Sequence, residues 1–232
     1  MWITAIILAG GSGKRMNTNT PKQYLMLDGK PLLYYSLKAF EESLVDEVIL
    51  VTKAGEEAYC HKEFVEQYNF RKVTAIVSGG KERYHSVLNG LRAVKKADYV
   101  MIHDGARPLL TPHIIAQTAE AVKMYQACVV GMPVKDTIQI VNETGIIVKT
   151  PKRSTVWQAQ TPQAFAFAMV RDAYEKIVQE SAIEVTDDAM VVGCYYNVPV
   201  YMIEGSYTNI KVTTPEDIPM AETILHLQIC GR

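Results

Sequence analysis

The strongest constraint on this chain is an alternation. Short runs rich in β-branched residues take turns with longer segments whose apolar residues recur at helical spacing. Residues 3–8, 47–52, 73–77, 99–103 and 127–132 read as buried strands. Between them, Pro31 opens a helix carrying Leu33, Leu37 and Phe40, a polar helical stretch covers 56–68, and Val87, Leu88, Leu91 and Val94 form a third stripe. Thr111-Pro112 supplies a cap and a first helical position. Further on, the pattern predicts helices at 168–180 and 186–192, a strand at 198–203 and a last helix after Thr214-Pro215-Glu216-Asp217. Strands alternating with helices in this way predict an α/β fold, with a mostly parallel sheet flanked by helices.

The period changes once. Residues 137–141 and 146–150 flank Asn142-Glu143-Thr144-Gly145, a turn composition that predicts a β-hairpin projecting from the α/β body as an arm at about 135–158. Without repeats or linker-like stretches, residues 1–232 are expected to form a single domain bearing that arm. With 48% hydrophobic residues, 232 positions suffice for a sizeable core.

Charge and cysteine usage exclude several classes of function. Twenty-four Lys and Arg nearly cancel 25 Asp and Glu, so a net charge of -1 gives no bulk electrostatic basis for holding nucleic acid or an anionic membrane. Any phosphate binding must be local. The longest apolar stretch, 189–203, is broken by Gly193, Asn197 and Pro199, and no membrane helix is expected. Cys60, Cys128, Cys194 and Cys230 lie far apart with no Cys-x-x-Cys pair, and the N-terminus lacks the pattern of a secretory leader. A cytoplasmic protein is the expectation.

The first strand runs into Gly10-Gly11-Ser12-Gly13-Lys14-Arg15-Met16, a loop whose backbone N–H groups suit close approach to a phosphate chain. It matches neither familiar phosphate loop. Leu8 and Arg15 stand where an ATPase loop needs glycine and a hydroxyl residue, and Met16 stands where the dinucleotide fingerprint needs its third glycine. Lys22, just beyond, joins Lys14 and Arg15 as a candidate to surround one polyphosphate. Asp104 follows a buried strand at the sheet's carboxyl edge, a place for a magnesium ligand, although Asp before Gly more often bonds its own backbone. Gly79-Gly80 with Ser86 offers donors to a nucleotide or forms an ordinary strand-to-helix turn. Thr186-Asp187-Asp188 reads first as a helix cap. His103 reads as a packed, hydrogen-bonded residue rather than a metal ligand, and no catalytic triad is visible.

Taken in order, these pieces resemble a known family. Leu8-Ala9-Gly10-Gly11-x-Gly13-Lys14-Arg15-Met16, Pro21-Lys22-Gln23-Tyr24, Gly79-Gly80-x-x-Arg83-x-x-Ser86-Val87, His103-Asp104-Gly105-Ala106-Arg107-Pro108, Val134-Lys135-Asp136-Thr137, Gln160-Thr161-Pro162-Gln163, Thr186-Asp187-Asp188 and Asn209-Ile210-Lys211-Val212-Thr213 are similar to the motifs of the methylerythritol phosphate cytidylyltransferases of the non-mevalonate isoprenoid pathway. The resemblance spans nearly the whole chain and implies a Rossmann-like nucleotidyltransferase fold.

It also implies the reaction: transfer of a cytidylyl group from CTP to 2-C-methyl-D-erythritol 4-phosphate, with magnesium required. By the same resemblance, Arg15 and Lys22 are transition-state cations, Lys14 lies on the polyphosphate, and Asp104 holds magnesium. Lys211 acts between the substrates. Ala9, Gly10, Gly11, Gly13, Gly80 and Ser86 sit on the nucleotide, while Arg107, Thr137, Arg153, Thr161 and Thr186 lie near the sugar phosphate. The arm is expected to make a homodimer in which Arg153 serves the neighbouring site.

Ala9-Gly10 stands where many members carry two alanines, and Ala-Gly-Gly is also common in ribitol 5-phosphate cytidylyltransferases, the alternative reading. Asp104-Gly105-Ala106-Arg107 and Val156-Trp157-Gln158-Ala159-Gln160 look like the methylerythritol group instead. A nucleotide-sugar glycosyltransferase would commonly carry Asp-x-Asp, which this chain lacks. A non-catalytic nucleotide-binding protein is disfavoured by the crowding of basic residues.

Overall fold

The computed structural model describes residues 1–11, 14–16, 20–180 and 185–230. Its strands are β1 (Ile3–Leu8), β2 (Met26–Leu27), β3 (Lys30–Pro31), β4 (Glu47–Thr52), β5 (Val73–Ser78), β6 (Tyr99–Asp104), β7 (Ala127–Pro133), β8 (Ile140–Val141), β9 (Ile147–Lys149), β10 (Trp157–Ala166) and β11 (Tyr201–Glu204). The helices are α1 (Leu32–Glu41), α2 (Glu57–Cys60), α3 (Arg83–Ala93), α4 (Pro112–Tyr125), α5 (Phe167–Ile177), α6 (Asp188–Tyr195) and α7 (Asp217–Cys230), and α2 continues into a wider π-helical turn over His61–Glu66.

Seven strands form one sheet in the order β11-β7-β10-β6-β1-β4-β5. β1 pairs parallel with β4 and β6, β4 with β5, and β11 with β7. Only β10 runs against its neighbours. The side-chain period of two sends Ile3, Ala5 and Ile7 of β1 to one face and Ile6 to the other, and both faces are buried. On the first face Leu33, Leu37 and Phe40 of α1 and Ile114, Ile115 and Val122 of α4 cover the sheet. On the second, Val87 and Leu91 of α3, Val170 and Tyr174 of α5 and Val191 of α6 do so. A third apolar cluster joins Met16, Leu27, Leu32, Leu109 and Val212 to Ala221 and Leu225 of α7. None of the described helices is long and apolar enough to cross a membrane.

Local sequence accounts for the helix starts. Thr111 Oγ1 accepts from Ile114 N at 3.4 Å with Pro112 in the first turn, and Asp187 Oδ1 accepts from Met190 N at 2.9 Å. The cap of α6 is therefore Asp187, and the helix begins at Asp188 rather than at 186. The last sheet strand likewise starts at Tyr201, three residues after the expected 198.

The largest departure from the expected elements is β10, ten residues long and inserted between β7 and β6. Its sequence carries Gln158, Gln160, Thr161, Pro162 and Gln163, so it lacks the apolar β-branched run that marks its neighbours. Burial supplies what propensity does not: Ala164 and Phe165 are enclosed on opposite faces, and the pairing register slips between Ala159 and Gln163, around Pro162. Because β10 is antiparallel, its first half lies at the carboxyl edge of the other strands. The hairpin strands β8 and β9 are shorter than the expected 137–141 and 146–150 and stand apart as a two-stranded sheet.

Helix α3 approaches the sheet at Gly90, where a Cβ would lie 2.6 Å from Ile6 Cγ2 and 3.1 Å from Val51 Cγ2. Both obstacles are stiff β-branched methyls. Gly90→Ala gains about 1 kcal/mol of helix propensity, but overpacking costs about 1–3 kcal/mol. A fall of roughly 2–4 °C in the melting temperature is expected by calorimetry; an increase would show that α3 has room to move.

Candidate active site

The carboxyl ends of β1 and β6, the turn before α3 and the segment before α7 enclose a cleft of about 370 Å³. Open α/β sheets bind ligands at this edge. Leu8, Ala9, Gly10 and Gly11 line it from β1, Lys22 and Gln23 from the following turn, and Gly80 to Arg83 with Ser86 from the start of α3. Asp104, Ala106 and Lys211 complete the wall.

Glycine is required where backbones meet. A Cβ on Gly10 would stand 3.0 Å from the Thr52 carbonyl oxygen, and one on Gly80 would collide with His85 Cβ at 2.3 Å. Gly80 N–H donates to Ser86 Oγ at 3.0 Å, so the serine hydroxyl holds the turn in shape. Gly13 lies outside the described residues, and for Lys14 only the backbone, in a short 3-10 turn through Met16, is described. Met16 is buried in the third apolar cluster, which anchors the chain next to the exposed Arg15.

Asp104 is the electrostatic centre. Lys211 Nζ lies 2.7 Å from its Oδ2, Arg107 Nε 4.0 Å from the same oxygen, and Arg83 Nε 3.8 Å from Oδ1. Burial alone would raise its pKa, but the fields of Lys211, Arg83 and Arg107 outweigh it and hold the carboxyl far below the usual carboxylate range. Lys211 is fixed on both sides. Asn209 O accepts from Arg107 Nη1 at 2.9 Å and Val212 N donates to Ala106 O at 2.8 Å.

Thr161 connects β10 to this centre. Asp104 N–H donates to Thr161 Oγ1 at 3.1 Å, and Thr161 Oγ1 lies 2.9 Å from His103 Nδ1. His103 Nε2 in turn lies 3.3 Å from Arg107 O, which can only accept. The imidazole therefore carries its proton on Nε2 and receives the threonine O–H at Nδ1. Complete burial lowers the His103 pKa to about 3, so the ring is neutral. This matches the packed, hydrogen-bonded role expected for it.

Lys22 differs from the other cleft cations. Among the described residues it makes no ion pair with a carboxylate, and its pKa is lowered first by burial and then by Lys211, Arg15 and Arg107, with only Asp104 opposing. The adjacent Tyr24 fixes its turn: the hydroxyl donates to Glu56 Oε2 at 2.7 Å, lies 3.1 Å from Cys60 Sγ, and the ring packs on Tyr59 and Phe64.

Two groups escaped the sequence reading. Arg83 forms a paired hydrogen bond with Asp188 at 2.7 and 2.8 Å, and Tyr174 donates its hydroxyl to the same carboxylate. Asp188, expected as a capping residue, is instead a fully buried counter-ion that ties α6 to α3. The three-residue spacing from Gly80 to Arg83 was visible, but its partner lies 105 residues away.

The structure brings Ala9, Gly10, Gly11, Lys22, Gly80, Ser86, Asp104 and Lys211 into one lining. Arg107 and Thr161 support it from beneath. Arg107 spends two N–H groups on the Asn209 and Ala159 carbonyls. Arg15, Thr137, Arg153 and Thr186 are exposed and lie outside the lining, Arg153 donating to Lys135 O at 3.3 Å.

A magnesium ion suits one carboxylate plus phosphate and water oxygens better than an all-protein cage. Asp104 fits that role: Oδ1 accepts no hydrogen bond among the described residues, and Arg83 Nε lies 3.8 Å from it. No group of three or more His, Cys, Asp or Glu is gathered among the described residues.

Comparison with known proteins places this geometry in a family. The family model described as 2-C-methyl-D-erythritol 4-phosphate cytidylyltransferase matches residues 3–227. A relative of that name from Lachnoclostridium phytofermentans is 50% identical over 96% of each chain, and one from Lachnospira eligens is 48% identical over 96% of this chain and 98% of its own. Among solved structures, the 4-diphosphocytidyl-2C-methyl-D-erythritol synthase from Anaerococcus prevotii superimposes with a TM-score of 0.85 at 32% identity, covering 97% of this chain and 96% of that one. Sequence and overall fold agree, and the chain belongs to the 2-C-methyl-D-erythritol 4-phosphate cytidylyltransferase family.

Proposed function

We propose that the cleft transfers the cytidylyl group of CTP to the phosphate of 2-C-methyl-D-erythritol 4-phosphate, releasing pyrophosphate, as a step in isoprenoid precursor synthesis. Membership of the family supports the reaction, and one observation ties it to this cleft: Lys22 is half-buried, has no carboxylate partner among the described residues and is crowded by other cations. That arrangement lacks an anion, and a triphosphate with a sugar phosphate supplies it. The attacking phosphate is already a nucleophile, so the chemistry needs no serine, cysteine or general base. It needs charge screening and in-line placement.

In this reading Ala9, Gly10, Gly11, Gly13, Lys14, Gly80 and Ser86 receive the nucleotide, and Arg15 and Lys22 stabilise the charge that builds at the α-phosphate. Lys211, held against Asp104, faces both substrates. Asp104, with the triphosphate, would hold magnesium, which neutralises phosphate charge when bound. Arg107, Thr137, Arg153, Thr161 and Thr186 serve the polyol phosphate, with Arg107 and Thr161 acting also through the position of Asp104. A cytoplasmic location accords with buried, unpaired Cys60 and Cys128.

The exposed Thr137 and Arg153 favour an assembly. Ile140, Val141, Ile146, Ile147 and Val148 are all exposed on the hairpin, and a two-stranded hairpin is marginal alone. A second copy would cover these residues and carry Arg153 to the neighbouring site, where its guanidinium can bind phosphate through paired hydrogen bonds.

Lys22→Ala is expected to lower kcat on the order of a hundredfold or more while changing CTP affinity far less, because a charge aimed at the transition state acts on the chemical step. Near-normal turnover at saturating substrates, with an unchanged circular dichroism spectrum, would remove Lys22 from catalysis. The assembly is tested by mixing inactive Arg153→Ala and Lys22→Ala subunits. Action across the dimer gives one intact site per mixed dimer, so activity returns. A mixture that stays inactive after verified subunit exchange, or a monomer in sedimentation, would contradict the arrangement.

A further inference from the structure

The side chain of Gln23 is only 2% exposed, belongs to the cleft wall, and has no hydrogen-bond partner among the described residues on either Oε1 or Nε2. Five buried side-chain polar atoms among the described residues lack a partner: two on Gln23, one on Trp2, and Arg107 Nε and Asn209 Oδ1. Four of these five therefore belong to residues that line the cleft or support Lys211 and Asp104. Protein interiors rarely leave such groups unsatisfied. The two atoms of Gln23 belong to a residue of the cleft wall, which points to a ligand rather than to loose packing.

Gln23 is also held where it is. Tyr24 N–H donates to Pro21 O at 2.9 Å and Leu25 N–H to Lys22 O at 3.2 Å, closing a tight turn around it, and the Tyr24 hydroxyl is fastened to Glu56. These bonds fix the Gln23 backbone beside the cleft. An apolar side chain of equal length would fill the same space with no desolvation cost, so the amide is a liability in the free protein.

We propose that Gln23 is a nucleotide-binding residue whose carboxamide donates from Nε2 to an oxygen of the CTP phosphate chain. The chemistry of the lining selects that partner: Gln23 shares its wall with Gly10, Gly11 and Lys22, and a Cβ on Gly11 would touch the Lys22 stem at 3.9 Å. An amide donor beside a glycine backbone and a lysine ammonium matches phosphoryl oxygens, which only accept. Oε1 is left to accept from a hydroxyl or from water ordered on the bound nucleotide. The inference rests on CTP being the ligand of this cleft, and it adds a neutral contact to the charged ones.

The test pairs affinity with stability in the full-length protein. CTP binding in the presence of magnesium is measured by calorimetry for wild type, Gln23→Met and Gln23→Glu, and each free protein is melted. Gln23→Met should melt at or above the wild-type temperature, because it removes two unsatisfied atoms, yet bind CTP about tenfold more weakly. Gln23→Glu keeps the shape, replaces the donor by a charge that repels phosphate, and should bind more weakly still. Wild-type CTP affinity in either folded variant overturns the assignment. So does a lower melting temperature for Gln23→Met, which would mean that the amide is already satisfied in the free protein. Failure of the wild type to bind CTP would overturn the cytidylyltransferase reading as well, which separates the two failures.

Discussion

The cleft depends on one largely buried carboxylate. Asp104 sits at the end of β6 with Lys211, Arg83 and Arg107 around it, and their combined field exceeds the cost of burial. Each of those cations anchors a different part of the molecule. Lys211 fixes the segment leading to α7, Arg83 brings in α3 and through Asp188 reaches α6 and Tyr174, and Arg107 holds the Asn209 backbone. Removing the Asp104 charge would leave cations facing one another in a poorly solvated space. The neutral His103 and Thr161 beneath it matter for the same reason, because they fix the backbone on which the carboxylate stands.

Much of this was legible along the chain. Strands β1, β4 and β6 follow from apolar β-branched runs buried on both faces, and Thr111-Pro112 and the acidic start of α6 follow from the unsatisfied N–H groups of a helix end. The glycine run and Lys22 marked a candidate phosphate site although neither standard loop pattern fits, and Gly10, Gly11 and Lys22 do share one lining. Their placement is geometric: Gly10 sits against the Thr52 carbonyl and the Lys22 turn is fastened through Tyr24 to Glu56, so a strand exit and a pinned turn meet at one cleft.

What stayed illegible was long-range. β10 carries glutamines and a proline, and only its enclosure between β7 and β6 makes it a strand. Asp188 looks like a cap because its neighbour is one; its role as counter-ion depends on an arginine far away in sequence. Gln23 stands in the Pro21-Lys22-Gln23-Tyr24 motif, but that its carboxamide lacks a hydrogen-bond partner among the described residues is something only a packed structure reveals. Propensity and capping are local, whereas charge pairing and polar satisfaction are set by the assembled fold.

The proposed function joins a cation-lined cleft to membership of the cytidylyltransferase family, which specifies the substrates. The choice between 2-C-methyl-D-erythritol 4-phosphate and ribitol 5-phosphate tests this account most directly, because both present the same nucleophile and differ only in the polyol. Pyrophosphate release from CTP should be measured with each acceptor in turn. The account predicts kcat/KM for the methylerythritol substrate higher by at least about a hundredfold, the scale on which misplaced hydroxyl and methyl groups are rejected. Equal or reversed values would contradict it.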